Sequence, residues 1–120
     1  MTDAGGMKLY CIKVGSFKLP RGFVAARCRD ANVLTVMPIF TYLIEHPKGL
    51  VLVDTGQSYE LRDDNTIMEE QDTILNKLAR LGYTPDDVKY VVMSHLHLDH
   101  SGYMNAFQNS VFITRKEELK

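Results

Sequence analysis

The chain has 120 residues, a formal net charge of −1, and 45% hydrophobic residues. That length and composition predict a single globular domain spanning residues 1–120, and they argue against disorder. A nucleic-acid partner or an anionic membrane would require a basic field, and a membrane span would require roughly 20 apolar residues, so neither partner is expected.

The N-terminus and the cysteines indicate a cytoplasmic location. Residues 1–6 form neither the charged n-region nor the apolar h-region of a secretory signal. Cys11 and Cys28 lack the CxxC spacing of a redox or zinc motif. We therefore expect two reduced thiols in a cytosolic protein.

The first part of the chain predicts a strand with a turn after it, and then a loop. Residues 8–14 alternate apolar and polar side chains and predict a first strand, with residues 15–20 as the turn that ends it. Residues 21–34 are weakly patterned and predict a loop. Such a loop is either a substrate wall or an uninteresting crossing, and the sequence favours neither.

A hairpin follows. Residues 39–45 and 50–53 are β-branched and apolar runs, and the segment between them contains Pro47 and Gly49. His46 in this turn is expected to be solvated and not to bind a metal. Asp54 ends the third strand, and from its own surroundings it is equally a plain turn residue or a functional carboxylate.

Further along, the spacing predicts an amphipathic helix. Thr66 and Glu69 fit a capping box, the apolar residues up to Leu81 recur at helical spacing, and Gly82 suits the position after the helix. Pro85 suits the start of a short turn. Residues 90–93 then predict a buried strand, 103–107 one or two helical turns, and 111–114 a last strand.

The fourth strand ends in a cluster of metal-ligand residue types. His95, His97, Asp99 and His100 fall within six positions, in a chain with four histidines in total. Imidazole nitrogens and carboxylates are the ligands that Zn²⁺ and related ions select. His95 and His97 project to the same side of an extended backbone, and Asp99 and His100 follow after the chain turns. This pattern favours a two-metal site over a ligand-free polar loop.

The motif His95-x-His97-x-Asp99-His100 resembles the HxHxDH signature of the metallo-β-lactamase superfamily. The segment 51–56, which contains Asp54, is similar to an earlier motif of that family, and the resemblance is strongest to the N-acyl homoserine lactone lactonases. One difference is Tyr103, where relatives often carry a second glycine. The resemblance implies an α/β fold, the N-terminal half of a four-layer αβ/βα sandwich.

The resemblance also implies a function and its residues. His95 and His97 would bind one divalent ion and Asp99 and His100 a second, both expected to be Zn²⁺ with Fe or Mn as alternatives. Asp54 would support the metal site from behind its ligands. A metal-bound hydroxide would open a lactone such as an acyl homoserine lactone, and Asp99 would pass a proton to the leaving alkoxide.

Two alternatives stay open: a thioesterase of the glyoxalase II kind or another ester hydrolase, and a non-catalytic metal-binding fragment. Two metal ions need roughly six ligand contacts, more than the motif supplies. Thr114 and Glu117 also predict a helix start close to Lys120, the last residue. We therefore expect an incomplete domain that is inactive alone, with its remaining ligands beyond Lys120. Its uncovered apolar sheet face would self-associate or bind a partner segment.

Overall fold

The computed structural model describes residues 6–20, 33–94 and 101–116. Its main element is a mixed sheet of six strands in the order β4-β1-β2-β3-β5-β6. Within the described residues, the strands and the helix α1 lie in chain order at β1 Lys8–Pro20, β2 Leu34–His46, β3 Gly49–Val53, β4 Thr66–Ile67, α1 Ile74–Arg80, β5 Val88–Met93 and β6 Val111–Thr114.

The first strand is longer than the sequence predicts. β1 continues through residues 15–20 and pairs with β2 to its end, so the predicted turn there is wrong. The register shifts between Lys13 and Ser16, and Gly15 has a φ of +124°. Gly15 therefore marks an irregularity within a continuing strand, which is a common role of glycine in sheets.

The predicted hairpin is confirmed. β2 and β3 pair antiparallel from Tyr42 opposite Val53 to His46 opposite Gly49. The Lys48 backbone N–H donates to Nδ1 of His46 at 3.0 Å, so this ring stabilises the turn. His46 lies opposite Gly49, at the end of β3 that is remote from Asp54.

The helix begins later than predicted, at Ile74. Thr66 and Ile67 instead pair as β4 with Phe17 and Ser16 of β1. The N-cap is Thr73, whose hydroxyl accepts from the Asn76 N–H at 3.2 Å. At the other end the prediction for Gly82 holds: it has a φ of +88°, and it donates to the Ala79 carbonyl at 3.0 Å.

The connection from β3 to β5 contains β4 and α1. β3 and β5 are parallel, and β6 continues the parallel part of the sheet. Ile74 and Leu78 of α1 are fully buried against one sheet face. That face forms the core together with Phe107 and with residues from four strands: Ile12, Val14, Ile39, Leu43, Leu50, Leu52, Val88, Val91 and Met93. β3 is one of the two central strands, β5 lies between it and β6, and β3 and β5 run in the same direction.

The opposite sheet face is also mainly apolar, as predicted, with Lys13 as a charged member opposite Phe40. Register partners on neighbouring strands lie on the same face of a sheet. The apolar residues on this second face are Leu9, Cys11, Phe40, Tyr42, Ile44, Val51, Val53, Tyr90, Val92, Val111 and Ile113. Tyr42 is 40% exposed, Val111 57% and Ile113 48%. We call this set the open face. Among the described residues, no helix long and apolar enough to cross a membrane occurs.

Candidate functional site

The four predicted metal ligands, His95, His97, Asp99 and His100, lie outside the described residues. What the structure does describe is the chain on either side of them. Residues 94 and 101–103 both contact the segment 54–60, which follows β3. The surroundings of the motif can therefore be built from both ends.

Before the motif, the anchor is a pair of hydrogen bonds between Asp54 and Ser94. The Ser94 backbone N–H donates to Oδ1 of Asp54 at 2.8 Å, and the Ser94 hydroxyl donates to Oδ2 at 2.7 Å. Both carboxylate oxygens are thus engaged by one residue. Because Ser94 directly precedes His95, Asp54 fixes the point where the motif begins.

The backbone conformation of Asp54 at the end of β3 directs its side chain toward Ser94. The Asp54 N–H still donates to the Val92 carbonyl at 2.8 Å, which continues the ladder between β3 and β5. Its φ is then +67°, the left-handed region that aspartate tolerates better than most residues. This bend ends the strand, and the side chain is only 6% exposed. A carboxylate so buried requires hydrogen-bond donors, and Ser94 supplies two.

After the motif, the chain is held by the next residues of the same segment. Ser101 forms a parallel bridge with Gly56, and the Gly102 N–H donates to the Gly56 carbonyl at 2.7 Å. The Tyr103 N–H donates to the Thr55 hydroxyl at 3.3 Å. Residues 54–56 therefore anchor the chain on both sides of the motif.

A further contact joins Tyr103 to the loop beyond Gly56. The Tyr59 N–H donates to the Tyr103 hydroxyl at 2.9 Å, and that hydroxyl donates to Oε2 of Glu60 at 3.0 Å. The Ser58 hydroxyl donates to the same Glu60 oxygen at 3.0 Å. Hydrogen bonds from its own backbone, from Ser58 and from Tyr103 lower the pKa of Glu60. Burial, and then Glu60, raise the pKa of Tyr103.

Sequence reasoning identified Asp54 but missed its partner and the Tyr103 contacts. A signal for Ser94 was present, because a buried aspartate beside a metal motif needs donors and serine is the residue before His95. Tyr103 was noted only as a departure from glycine. Its partners lie 43 and 44 residues earlier in the chain, a pairing that spacing does not reveal.

The remaining candidate ligand types do not make a second centre. Across residues 6–20, 33–94 and 101–116, no three His, Cys, Asp or Glu side chains are arranged so that they could hold a metal ion. Cys11 is an exposed free thiol, and Cys28 lies outside the described part of the chain. The motif itself offers imidazole and carboxylate donors, which fit a divalent transition metal.

A mixed sheet whose central strand ends in an aspartate, next to a His-x-His-x-Asp-His segment, agrees with the class of protein that the sequence resembles. The family model described as the metallo-beta-lactamase superfamily matches residues 34–116. The chain belongs to this superfamily.

Several curated relatives of the chain are lactonases. An N-acyl homoserine lactonase of Bacillus cereus is 34% identical over 94% of this chain, which corresponds to 50% of that protein. The N-acyl homoserine lactonase AttM of Azorhizobium caulinodans is 32% identical and matches 100% of this chain and 49% of its own length. The chain thus spans about half the length of the curated relatives it matches.

Solved structures give the same picture. A quorum-quenching N-acyl homoserine lactone lactonase superposes with a TM-score of 0.87 at 36% identity, over 98% of this chain and 49% of that one. An N-acyl homoserine lactone hydrolase with the product N-hexanoyl-L-homoserine bound at its catalytic metal centre has a TM-score of 0.84 at 34% identity. The superposition covers 98% of this chain and 51% of the chain of that hydrolase.

Proposed function

We propose that this chain contributes to a metal-dependent hydrolase that opens the lactone ring of an N-acyl homoserine lactone. The observation that carries the proposal is the similarity to a lactone hydrolase whose structure holds the product N-hexanoyl-L-homoserine at the catalytic metal centre. The HxHxDH segment of this chain, flanked on both sides by contacts to residues 54–56, supports the same reaction.

His95, His97, Asp99 and His100 are the residues we propose as metal ligands, and two Zn²⁺ ions are the cofactors we propose. When bound, such ions lower the pKa of water and polarise the carbonyl of an ester. Asp54 would orient the start of the motif through Ser94. Asp99 would in addition hand a proton to the alkoxide that leaves when the ring opens.

The substrate assay separates this function from the related ester hydrolases. This chain, and any longer protein that carries it, is loaded with Zn²⁺ and offered N-hexanoyl-L-homoserine lactone and an S-acyl glutathione ester. Lactone opening with little thioester cleavage supports the proposal, and the reverse preference overturns it in favour of a glyoxalase II-like thioesterase. We expect negligible turnover from residues 1–120 alone.

The metal and proton roles are tested separately. Residues 1–120 alone should hold incomplete or no zinc, whereas elemental analysis of a longer protein that carries this chain should find Zn²⁺ in the wild type and a loss of it in His95→Ala. Asp99→Asn should lower lactone turnover by more than its effect on zinc content explains. An Asp99→Asn protein that keeps both its metal and full activity removes the proton role while leaving the ligand assignment intact.

We also propose that residues 1–120 self-associate through the open face, or bind a segment that covers it, and that the protein is cytosolic. The open face combines apolar side chains from five strands, with exposed ones on β1, β2 and β6 and partly buried ones on β3 and β5. Such surfaces are rarely left free on monomers. Light scattering tests this with Ile113→Glu, which places a charge on the open face. Leu61→Glu is the control, since Leu61 is 63% exposed on a loop outside that face. Association reduced only by Ile113→Glu supports self-association through the open face, and a monodisperse wild-type monomer overturns self-association.

A further inference from the structure

We propose that Tyr103 is a positioning residue for the end of the metal-ligand motif, and that it acts by joining the motif to the loop after β3. The inference rests on the proposed metal-dependent function. Asp54 and Ser94 fix only the beginning of the motif. Tyr103 follows His100 by three residues, so it is well placed to fix the end.

The geometry singles out the Tyr103 hydroxyl. It accepts from the Tyr59 N–H at 2.9 Å and donates to Glu60 at 3.0 Å, so it uses both its acceptor and its donor capacity on one loop. The Tyr103 backbone N–H meanwhile donates to Thr55 at 3.3 Å. Backbone and side chain of one residue thus hold residues 55, 59 and 60 in a single arrangement.

The loop residues that contact Tyr103, Tyr59 and Glu60, are held in place by further contacts. Glu60 also accepts from the Ser58 hydroxyl at 3.0 Å, and the Arg62 guanidinium lies 3.7 Å from the centre of the Tyr59 ring. The pKa of Glu60 is lowered by these hydrogen bonds, so it stays a charged acceptor at neutral pH. Tyr103 is therefore tied to a preorganised loop.

A ligand set binds metal tightly only when its residues are held close to their coordinating geometry, so small displacements are costly. Asp99 and His100, the pair proposed for the second ion, are the ligands nearest to Tyr103 in the chain. Loosening Tyr103 should hence weaken one ion more than the other. Loosening Ser94 should act first on the pair His95 and His97.

The test is Tyr103→Phe, which keeps the ring and its packing and removes only the hydroxyl. Tyr83→Phe is the matched control, because the Tyr83 hydroxyl also donates to a glutamate, Glu45, at 2.9 Å. Glu45 lies beside the hairpin turn, at the end of β3 remote from Asp54. Zinc affinity is measured by chelator competition in a longer protein that carries this chain, and thermal unfolding of both metal-free variants is recorded.

We expect Tyr103→Phe to weaken the binding of one zinc ion roughly 3- to 10-fold, below the 10- to 100-fold range for groups that contact a ligand directly. Tyr83→Phe should leave zinc affinity unchanged, even where both metal-free variants unfold at equally lowered temperatures. Equal zinc affinity in wild type and Tyr103→Phe overturns the role of Tyr103 alone. A longer protein that carries this chain and binds no zinc overturns the proposed function and this inference with it.

Amide hydrogen exchange gives a second readout that needs no metal. Tyr103→Phe removes the acceptor of the Tyr59 N–H, so this amide should exchange faster, and so should that of Gly102. Faster exchange at Tyr59 with unchanged exchange at Gly102 would mean that the loop and the end of the motif are not coupled. That result would overturn the proposal.

Discussion

Gly102 lies so close to Ser58 that a Cβ atom added to it would stand 2.3 Å from the Ser58 backbone nitrogen. The same Cβ would also stand 2.7 Å from the Gln57 carbonyl carbon and from the Gly56 carbonyl oxygen. All three neighbours are backbone atoms, which cannot rotate away. Gly102, two residues after the motif, is therefore required by the close approach of two chain segments.

Gly102→Ala should consequently separate the end of the motif from residues 56–58. We expect the free energy of unfolding to fall by about 3 kcal/mol, the upper part of the range for overpacking. The control is Gly82→Ala, where nothing lies within 4 Å of the added Cβ and only the φ of +88° is unfavourable. Its cost should be about 1 kcal/mol. Urea denaturation measures both, and equal costs would contradict the steric explanation.

Replacing Asp54 tests the anchor at the beginning of the motif. Asp54→Ala removes both acceptors of Ser94 and leaves alanine at a φ of +67°. We expect a loss of about 3 kcal/mol, since hydrogen bonds to charged groups contribute roughly 1.5–3 kcal/mol each and relaxation recovers part. Asp54→Asn tolerates the left-handed backbone and offers one oxygen and one N–H, so its loss should be smaller.

Ser94→Ala provides the comparison for Asp54. It removes only the hydroxyl donor and keeps the backbone N–H bond of 2.8 Å. Denaturation curves should rank the losses as Asp54→Ala, then Ser94→Ala and Asp54→Asn. If Ser94→Ala destabilised as much as Asp54→Ala, the hydrogen bond from the Ser94 backbone N–H to Asp54 would contribute nothing to the free energy of unfolding.

The sequence predicted most strands, because their apolar runs are local features. It failed where a distant partner decides the conformation. Thr66 and Glu69 carry the local pattern of a helix start, yet Thr66 and Ile67 pair with β1 and the helix begins after Thr73. Gly15 reads as a turn residue, and only its pairing with β2 on both sides keeps it within a strand.

The contrast between local patterns and distant contacts also applies to the candidate site. Asp54 could be singled out because a resemblance to a known motif supplied the non-local information. Ser94 and Tyr103 became visible only through contacts that span 40 and 44 residues. Local spacing contains no information on such contacts, because it does not fix how segments approach one another. The ligand residues themselves remain a prediction from the sequence.

Thr41 offers a test of core polarity. It lies on β2 opposite Ile12 and is fully buried, and its hydroxyl has no hydrogen-bond partner in the described part of the chain. Thr41→Val removes that hydroxyl at nearly constant shape, and should raise the free energy of unfolding by about 1 kcal/mol. Thr55 is the contrast, since its hydroxyl accepts from Tyr103. Thr55→Val should therefore destabilise, and a stabilised Thr55→Val would contradict this reasoning.

The pH dependence of stability should reveal a second cluster, formed by Glu45 with Tyr83 and Tyr10. Hydrogen bonds from Tyr83 and Tyr10 lower the pKa of Glu45 from 4.5. Hydrogen bonding to Glu45 raises the pKa of both tyrosines above 10.0. A lowered acid pKa contributes stability that is present above the unfolded value and is lost as the pH falls through the folded value. The tyrosines contribute stability that is present below pH 10.0 and is lost above it.

Glu45→Gln isolates this contribution on the acid side. The difference in melting temperature between wild type and Glu45→Gln should be constant near neutral pH. It should shrink as the pH falls below about 4.5, because the carboxylate is protonated first in the unfolded chain and then, at its lowered pKa, in the folded one. Tyr83→Phe should reduce the size of that pH-dependent difference without abolishing it, since Tyr10 still donates to Glu45. Melting curves recorded from pH 3 to 7 in about 0.15 M salt, which screens the more distant charges, measure the effect. A difference that stays constant down to pH 3 would mean that these hydrogen bonds do not stabilise the folded chain.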